Sequence, residues 1–287
     1  VGSPAGGLWK STDGGSNWTT NTDDLPVIGI SHIAIDPSNN SNMYIVTGDA
    51  YATDTYSIGI LKSTDNGVTW NTTGLSYDVD QAQTVNKVII NPNFPDSLYA
   101  VTNSSILISP DGGDNWQIVG SIGRWRDIEL KADDPNVIYA AKQSSGGSSI
   151  YRSLDGGVNW NVISNGMSGS RYRPLIAVTP ENPNVIYALF SASDYGFHGL
   201  YKSSNAGDSW VLKSNSPNIL GRETDGSDNG GQSWYDLSLG VATNNENLVY
   251  VGGINLWRSN DGGENWDIDG SSGNGSNYSY MHVDRHA

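Results

Sequence analysis

An eight-residue pattern that occurs six times constrains the fold of this chain more than any other feature of its sequence. The pattern is Ser-x-Asp/Asn-x-Gly-x-x-Trp, and successive copies begin 44 to 56 residues apart. The copies start at Ser11, Ser63, Ser109, Ser153, Ser203 and Ser259. Repeats of this length are typical of proteins built from one supersecondary unit used several times, so the repeat indicates the architecture before any single residue does.

The repeated octet, which we call the turn box, has the composition of a tight turn between two strands. Its Asp or Asn side chain can accept hydrogen bonds from amides one to three residues ahead, and the Ser hydroxyl can do the same. Gly allows a positive φ, and Trp offers a large apolar surface at the start of the next strand. Because a group required in six places is a poor candidate for one active site, we predict a structural role for the central polar residues. These are Asp13, Asp65, Asp111, Asp155, Asn205 and Asp261.

Each repeat also contains four segments with strand character. They are an apolar run followed by a Pro/Asn turn, a run that contains Tyr, a short segment leading into the turn box, and a segment leaving it through Trp. Four short antiparallel strands joined by turns form one blade of a β-propeller. The sequence therefore predicts an all-β propeller of four-stranded antiparallel blades, with five complete blades and six to seven in the ring.

The two ends of the chain predict a further blade that is split or incomplete. Residues 7–10 resemble a third strand and residues 280–286 a first strand, and no second strand is evident between them. A bare first strand would leave an unpaired sheet edge. We therefore expect residues 1–287 to form a single propeller domain that is a fragment of a longer chain.

The composition excludes several classes of partner. Thirty acidic and fifteen basic residues give a formal charge of −15, so a nucleic acid or an anionic membrane surface would be repelled. The chain has no cysteine, which excludes disulfides and thiolate metal sites. No apolar run approaches the length that spans a bilayer. We predict no nucleic-acid partner and no membrane insertion.

Aromatic and charged residues at the starts of first strands, together with two long loops at 49–57 and 213–235, predict a ligand-binding surface at the mouth of the propeller channel. Such residues could stack on sugars or hold a peptide, and the alternative is a set of ordinary Arg–Asp pairs at a blade edge. The predicted ligand-binding residues are Trp125, Arg126, Tyr172, Arg173, Trp234, Tyr235 and His282.

Two segments of the sequence contain residue types that could bind a metal ion. Residues 225–236 fit a calcium loop through Asp225, Ser227, Asn229 and Asp236, and the alternative is a polar loop that includes a degenerate turn box at 227–234. His282, Asp284 and His286 would share one face of a strand and could bind a transition metal, or could simply line the channel. Calcium is the one cofactor that the sequence suggests.

A catalytic role would need two carboxylates on either side of a sugar. The candidates for such a pair are Asp127, Asp236 and Asp284, with Glu129 as a further carboxylate on a first strand. The sequence does not show which of them face each other. It contains no Ser-His-Asp order, phosphate-binding loop or dinucleotide fingerprint.

The turn boxes and the four-strand period resemble the Asp-box (BNR) repeat superfamily over essentially the whole chain. That superfamily includes sialidases, xyloglucanase-type hydrolases, sortilin-type receptors and photosystem assembly propellers. Residues 6–15, 54–59, 234–237 and 282–286 look more narrowly like large secreted propeller proteins of Bacteroidetes-type bacteria, which are often cargo of type IX secretion. The resemblance implies a β-propeller, and a secreted or cell-surface location.

The enzyme branches of the superfamily match poorly. No F/Y-R-I-P motif of sialidases precedes the first turn box, and xyloglucanase-type enzymes place their aspartates between two propellers. Fold alone does not assign an activity. We therefore expect a non-catalytic binding or scaffold module that recognises glycan or protein. Its further partners would be other domains of the same longer chain or members of a larger complex. The alternative is a polysaccharide-acting glycoside hydrolase.

Overall fold

The computed structural model describes residues 1–51, 55–271 and 279–280, and the chain divides into two compact units, Val1–Ile128 and Glu129–Ala287. Apart from one 3-10 turn at Val79–Gln81, the regular structure of the described residues consists of strands. Consecutive strands pair with each other in every sheet, so each sheet is a simple meander apart from the last strand of the five-stranded sheet, which lies parallel to its neighbour. This is the arrangement that the four strand-like segments of each repeat predict.

The first unit contains a small sheet and two complete blades. The small sheet, called the partial sheet, has strands β1 (Gly2–Ser3), β2 (Gly7–Lys10) and β3 (Thr19–Thr20). Blade 1 has β4 (Ile30–Ile35), β5 (Met43–Thr47), β6 (Gly59–Ser63) and β7 (Asn71–Ser76). Blade 2 has β8 (Val85–Ile90), β9 (Leu98–Thr102), β10 (Ile106–Ser109) and β11 (Gln117–Val119).

The remaining strands form three further blades, and the boundary between the units falls within β12. Blade 3 has β12 (Arg124–Lys131), β13 (Asp134–Gln143), β14 (Ser149–Ser153) and β15 (Asn161–Val162). Blade 4 has β16 (Pro174–Val178), β17 (Ile186–Ser191), β18 (Phe197–Ser203) and β19 (Val211–Ser214). Blade 5 has β20 (Ser238–Ala242), β21 (Asn245–Gly252), β22 (Leu256–Ser259), β23 (Asp267–Ser271) and a fifth strand, β24 (Ser279–Tyr280).

The further blade differs from its prediction at both ends. β1 pairs antiparallel with β2, so the partial sheet does have a short strand in the second position, which the sequence prediction left empty. A Gly-Ser pair gives no apolar signal, which is why pattern analysis overlooks it. At the other end, Ser279–Tyr280 lies parallel to β23 within blade 5. The rest of the predicted first strand, residues 281–286, is outside the described residues.

Hydrogen bonds within the turn box explain why its residue types recur. In the first copy the Ser11 hydroxyl donates to Asp13 Oδ1 at 2.9 Å and accepts from the Gly15 amide at 2.8 Å. Asp13 Oδ1 also accepts from the Asn17 amide, four residues ahead and one residue beyond the predicted reach. Hydrogen bonds from Asn17, first from its side chain and then from its backbone, lower the pKa of Asp13 to about 2. The other five copies contain the same Ser-to-Asp/Asn and amide contacts.

In four of the repeats, the Trp that ends the turn box packs between its own blade and the preceding sheet. Trp70 packs against Leu8 of the partial sheet and Ile45 of blade 1, within one buried cluster. Trp116, Trp210 and Trp266 pack in the same way. Each contacts a buried cluster formed by its own blade and the blade before it in the chain. The apolar core is therefore a series of separate layers, each shared by two neighbouring sheets.

A tyrosine and a cation of one blade hold the turn box of the next. The Tyr44 hydroxyl and the Lys62 ammonium of blade 1 both donate to the Gly112 carbonyl, each at 3.0 Å. Tyr139 and Arg152 of blade 3 donate in the same way to Ala206 of blade 4, the residue at the same place in its turn box. We call this arrangement the Tyr–cation clamp, and burial raises the pKa of Tyr44 to about 12.

Blade 4 uses a variant of the clamp that allows a test of its contribution to stability. Tyr187 donates to the Glu246 carbonyl at 2.8 Å, and Lys202 donates to the Glu246 carboxylate at 3.0 Å. We expect Tyr187→Phe to lower the free energy of unfolding by about 1 kcal/mol, because the partly buried Glu246 carbonyl loses its donor. Urea denaturation measures the change.

Lys213→Met is the matched control for the clamp. It removes the ion pair between Lys213 and Glu264, whose carboxylate side is 58% exposed, and exposed pairs contribute about 0.5 kcal/mol or less. Equal effects of Tyr187→Phe and Lys213→Met would contradict a stabilising role for the clamp.

Candidate functional site

The long segment between β19 and β20 forms a folded loop with its own internal hydrogen bonds. Ile219 and Leu220 anchor it, because both are buried in the core cluster shared by blades 4 and 5. Asn218 organises the rest of the loop: its amide nitrogen donates to the carbonyls of Asp228 and Gly230, at 3.0 and 2.7 Å. Its amide oxygen accepts from the Phe197 amide at 2.8 Å, which fastens the loop to β18.

Close backbone approach fixes the second half of this loop. A Cβ atom on Gly231 would come within 2.6 Å of two backbone carbonyl oxygens, those of Leu220 and Tyr195. Only Gly fits between two chain segments at that separation. The residues after Gly231 are thereby held beside the first half of the loop.

A cavity of about 480 Å³ opens on this loop. It is lined by Arg222, Asp228, Asn229, Gly231, Gln232, Trp234 and Ile254. The Trp234 ring is 45% exposed, and its centroid lies 5.5 Å from that of Tyr235 with 40° between the planes. An exposed aromatic ring beside side chains with amide, carboxylate and guanidinium groups is the combination that can stack on a sugar ring and hydrogen-bond its hydroxyls.

Side-chain hydrogen bonds of Asp228 and Asn255 fix the backbone at the rim of the cavity. Asp228 Oδ2 accepts from the Arg222 amide at 2.7 Å. Asn255, which is fully buried, donates from its side chain to the carbonyls of Gly221 and Arg222. The backbone of Arg222 is therefore fixed at both its amide, by Asp228, and its carbonyl, by Asn255.

Of the described residues predicted to bind ligand in the second unit, the aromatic ones reach the surface and Arg173 does not. Trp234 and Tyr235 lie at the cavity or beside it, and Tyr172 makes an edge-to-face contact with Tyr195 at 5.7 Å. Arg173 is 1% exposed, and its guanidinium donates to the carbonyls of Ser233 and Tyr235. The Arg173 side chain therefore holds the Trp234 segment from inside the protein, and a ligand-binding role for it stays a prediction.

In the first unit the predicted ligand-binding residues of β12 are also buried. Trp125 has no exposed surface, and its indole nitrogen donates to the Ser121 carbonyl at 3.0 Å. Arg126 is 7% exposed and donates to the Ala50 carbonyl. A ligand-binding role for Trp125 and Arg126 stays a prediction, and the structure shows both side chains engaged in hydrogen bonds to backbone carbonyls of the first unit.

Asp127, a candidate catalytic carboxylate, belongs to a row of polar groups on the first strands. It is 4% exposed and accepts from Lys87 of β8 at 2.8 Å. His32 of β4 lies near the same lysine, and burial followed by the Lys87 charge lowers the pKa of His32 to about 3. Histidine at this position is therefore neutral at physiological pH, and Asp127 serves to balance the lysine charge.

The predicted calcium ligands are divided between the surface and the interior. Asp225, Ser227 and Asn229 are exposed, whereas Asp236 is fully buried. Asp225 Oδ1 accepts from the Ser227 amide at 3.0 Å, and hydrogen bonds from Ser227 lower the pKa of Asp225. Among the described residues there is no group of three or more His, Asp or Glu side chains placed to share an ion. Calcium binding at this loop stays a prediction, and His282, Asp284 and His286 lie outside the described residues.

Several residues of the cavity have no signal that sequence analysis could use. Arg222, Asp228, Gln232 and Ile254 come together only because Asn218 and Gly231 fold the loop back on itself. The length of the loop and the Trp234–Tyr235 pair were the features of the sequence that pointed to this region. In the part of the chain that the structure describes, no helix has the length and apolar character needed to cross a membrane.

Solved structures similar to this chain are β-propellers. One is a GH74 enzyme of Niastella koreensis, with 20% identity and a TM-score of 0.67 over 93% of this chain and 42% of that chain. Another is the GH74 xyloglucanase of Xanthomonas campestris, with 18% identity and a TM-score of 0.69 over 93% of this chain and 43% of that chain. A third is YCF48 bound to D1 peptide, with 22% identity and a TM-score of 0.61 over 94% of this chain and 76% of that chain.

No protein-family model matches the chain, and no curated protein matches it either. The chain spans about two fifths of the length of the two GH74 structures. At identities of 18 to 22%, the likeness shows the fold alone. The chain is thus an all-β protein with the fold of a blade-based β-propeller.

Proposed function

We propose that this protein is a non-catalytic binding module that recognises a neutral glycan at the cavity around Trp234. The exposed Trp234 ring is the observation that carries the proposal, because a flat apolar surface next to hydrogen-bonding groups matches the two faces of a pyranose. The formal charge of −15 favours neutral over acidic polysaccharides. We also propose a secreted or cell-surface location, where a protein would meet such a polysaccharide.

A hydrolase is the second candidate, and it rests on the similarity to the two GH74 enzymes. A general acid or nucleophile must reach the sugar, however, and two of the candidate carboxylates are buried: Asp127 is 4% exposed and Asp236 is fully buried, while Glu129 is partly exposed. We therefore favour binding without turnover. A peptide ligand, as in the YCF48 structure bound to D1 peptide, is a further possibility that the same experiment addresses.

A panel of soluble polysaccharides tests the proposal. The whole chain is run by affinity electrophoresis in gels that contain xyloglucan, a mixed-linkage β-glucan or anionic polygalacturonate, and reducing ends are measured in parallel. We expect retention by a neutral polysaccharide and no release of reducing ends. Release that disappears in Asp236→Asn would support the hydrolase instead. Absence of retention in every gel would refute glycan binding and leave a peptide as the ligand to test.

A further inference from the structure

Arg222 differs from the other arginines that the structure describes, because its guanidinium has no hydrogen-bond or ion-pair partner among the described residues. It is exposed and lines the cavity around Trp234. Each of the others directs its guanidinium at a backbone carbonyl, a side-chain amide or a carboxylate. They are Arg124, Arg126, Arg152, Arg171, Arg173 and Arg258. In a chain with 30 acidic and 15 basic residues, such a guanidinium is available to a ligand.

The side chains that line this cavity offer more hydrogen-bond donors than acceptors. Arg222 has donors alone, and the amides of Asn229 and Gln232 each combine an NH₂ group with one carbonyl oxygen. Asp228 is the one carboxylate in the lining, and its Oδ2 accepts from the Arg222 amide at 2.7 Å while its Oδ1 is buried. A ligand group that brings acceptor oxygens therefore fits this cavity best.

Of the groups with acceptor oxygens, a carboxylate matches a guanidinium most closely. The two groups are planar and can form two parallel hydrogen bonds, which a hydroxyl or a single carbonyl cannot do. The Arg222 backbone is fixed at its amide by Asp228 and at its carbonyl by Asn255, so the side chain extends from a defined point on the rim. The geometry thus favours one carboxylate beside the Trp234 ring.

The surroundings of Arg222 limit how much negative charge the ligand can carry. Residues 213–235 contain two basic residues, Lys213 and Arg222, and three acidic ones, Glu223, Asp225 and Asp228. At physiological ionic strength, charges more than about 8 Å away are largely screened, so a single carboxylate is governed by the guanidinium that it contacts. A densely charged chain would meet the acidic neighbours as well and be repelled.

We propose that Arg222 binds the carboxylate of one uronic acid residue in an otherwise neutral glycan, while Trp234 stacks on its pyranose ring. This inference rests on the proposed function of the Trp234 cavity and adds the class of sugar that the cavity selects. The carboxylate accepts two hydrogen bonds from the guanidinium, and Asn229 and Gln232 serve the ring hydroxyls. A neutral sugar places a hydroxymethyl group at the same position and forms no charged contact.

Titration with two pairs of methyl glycosides tests the inference. Methyl glucuronide is compared with methyl glucoside, and methyl galacturonide with methyl galactoside, because each pair differs only by a carboxylate in place of a hydroxymethyl group. Binding to the whole chain is followed through the indole N–H resonance of Trp234, which is identified by its loss in Trp234→Phe. We expect at least one uronide to bind about fivefold more tightly than its neutral partner.

Two variants at Arg222 and one control locate the charged contact. Arg222→Gln keeps an amide donor but no charge, so it should abolish the preference for the uronide and change the affinity for the neutral glycoside less than about twofold. Arg222→Lys should keep part of the preference. Lys213→Gln removes one positive charge from the strand that leads into the loop, outside the cavity lining, and should leave the preference unchanged.

Ionic strength gives an independent measurement on the unmodified chain. Between about 50 mM and about 500 mM NaCl the preference for the uronide should fall, because the added salt screens an exposed pair of charges. The affinity for the neutral glycoside should stay the same. An unchanged preference across this range would contradict a contact between charges.

The outcomes separate this inference from the proposed function. Equal affinity within both pairs, an unchanged preference in Arg222→Gln or a lost preference in Lys213→Gln would overturn the inference and leave glycan binding in place. Retention of a neutral polysaccharide in the gels, with no glycoside shifting the Trp234 signal, would also overturn it. If neither glycosides nor polysaccharides bind, the proposed function is refuted, and the inference with it.

Discussion

Replacing Trp234 with Ala is expected to weaken binding to a neutral polysaccharide at least about tenfold, with no change in fold. The ring is 45% exposed at the rim of the cavity, and exposed Trp residues at binding sites are often those whose removal costs most affinity. A loss of about 1.4 kcal/mol or more in binding free energy gives this factor. Isothermal titration with the polysaccharide that retains the unmodified chain measures it.

Trp18→Ala is the matched control, because Trp18 is 44% exposed but belongs to the other unit. We expect it to leave the affinity for the polysaccharide unchanged. Trp234→Phe, which keeps an aromatic ring, should retain part of the affinity. If Trp234→Ala binds as well as the unmodified chain, the cavity around Trp234 is not the glycan site.

The second large effect is expected on stability. Trp125→Ala should lower the free energy of unfolding by about 3–5 kcal/mol, because it removes a fully buried ring and leaves a cavity in its place. The Ser121 carbonyl also loses its donor, the indole N–H. Urea denaturation followed by far-UV circular dichroism measures the change.

Ile122→Ala provides the comparison, since Ile122 lies three residues away in the chain and is 87% exposed. Its expected effect is within about 0.5 kcal/mol. The opposite outcome, an unchanged stability of Trp125→Ala together with a loss of glycan binding, would support the sequence-based prediction that Trp125 stacks on a ligand.

The blade structure could be predicted because its signals are local and repeated. A Tyr-containing segment, a turn box and a closing Trp recur in the same order, and each reports a feature of the strand or turn in which it lies. The reach of the Asp13 carboxylate to the Asn17 amide differs from expectation by one residue only. Local chemistry of this kind is visible in a sequence.

Contacts between repeats were not predicted, because no local pattern encodes them. Nothing near Lys62 in the sequence indicates that it and Tyr44 share the Gly112 carbonyl, which lies 50 residues beyond Lys62. The burial of Trp125 was missed for a related reason. Arginines on both sides of it suggested a surface strand, whereas Arg126 itself is buried with its charge directed at a backbone carbonyl.

The cavity around Trp234 was predicted in part. Loop length and the Trp234–Tyr235 pair pointed to it, but Arg222 and Ile254 are brought there by Asn218, Gly231 and Asn255 through contacts that depend on the folded loop. Whether a polar residue in a long loop lines a cavity or faces solvent is decided by such contacts, and composition does not record them.

The Tyr–cation clamp has a consequence for how such a chain can change in length. Every repeat that contains both halves of the junction, the Tyr and cation on one side and the turn-box carbonyl on the other, fits any neighbour of the same kind. Insertion or deletion of one whole repeat therefore creates no new type of junction, while a cut inside a repeat separates donor from acceptor. We therefore expect the chain to gain or lose sequence in steps of one full repeat. The points of recombination should lie between one Tyr–cation clamp and the next.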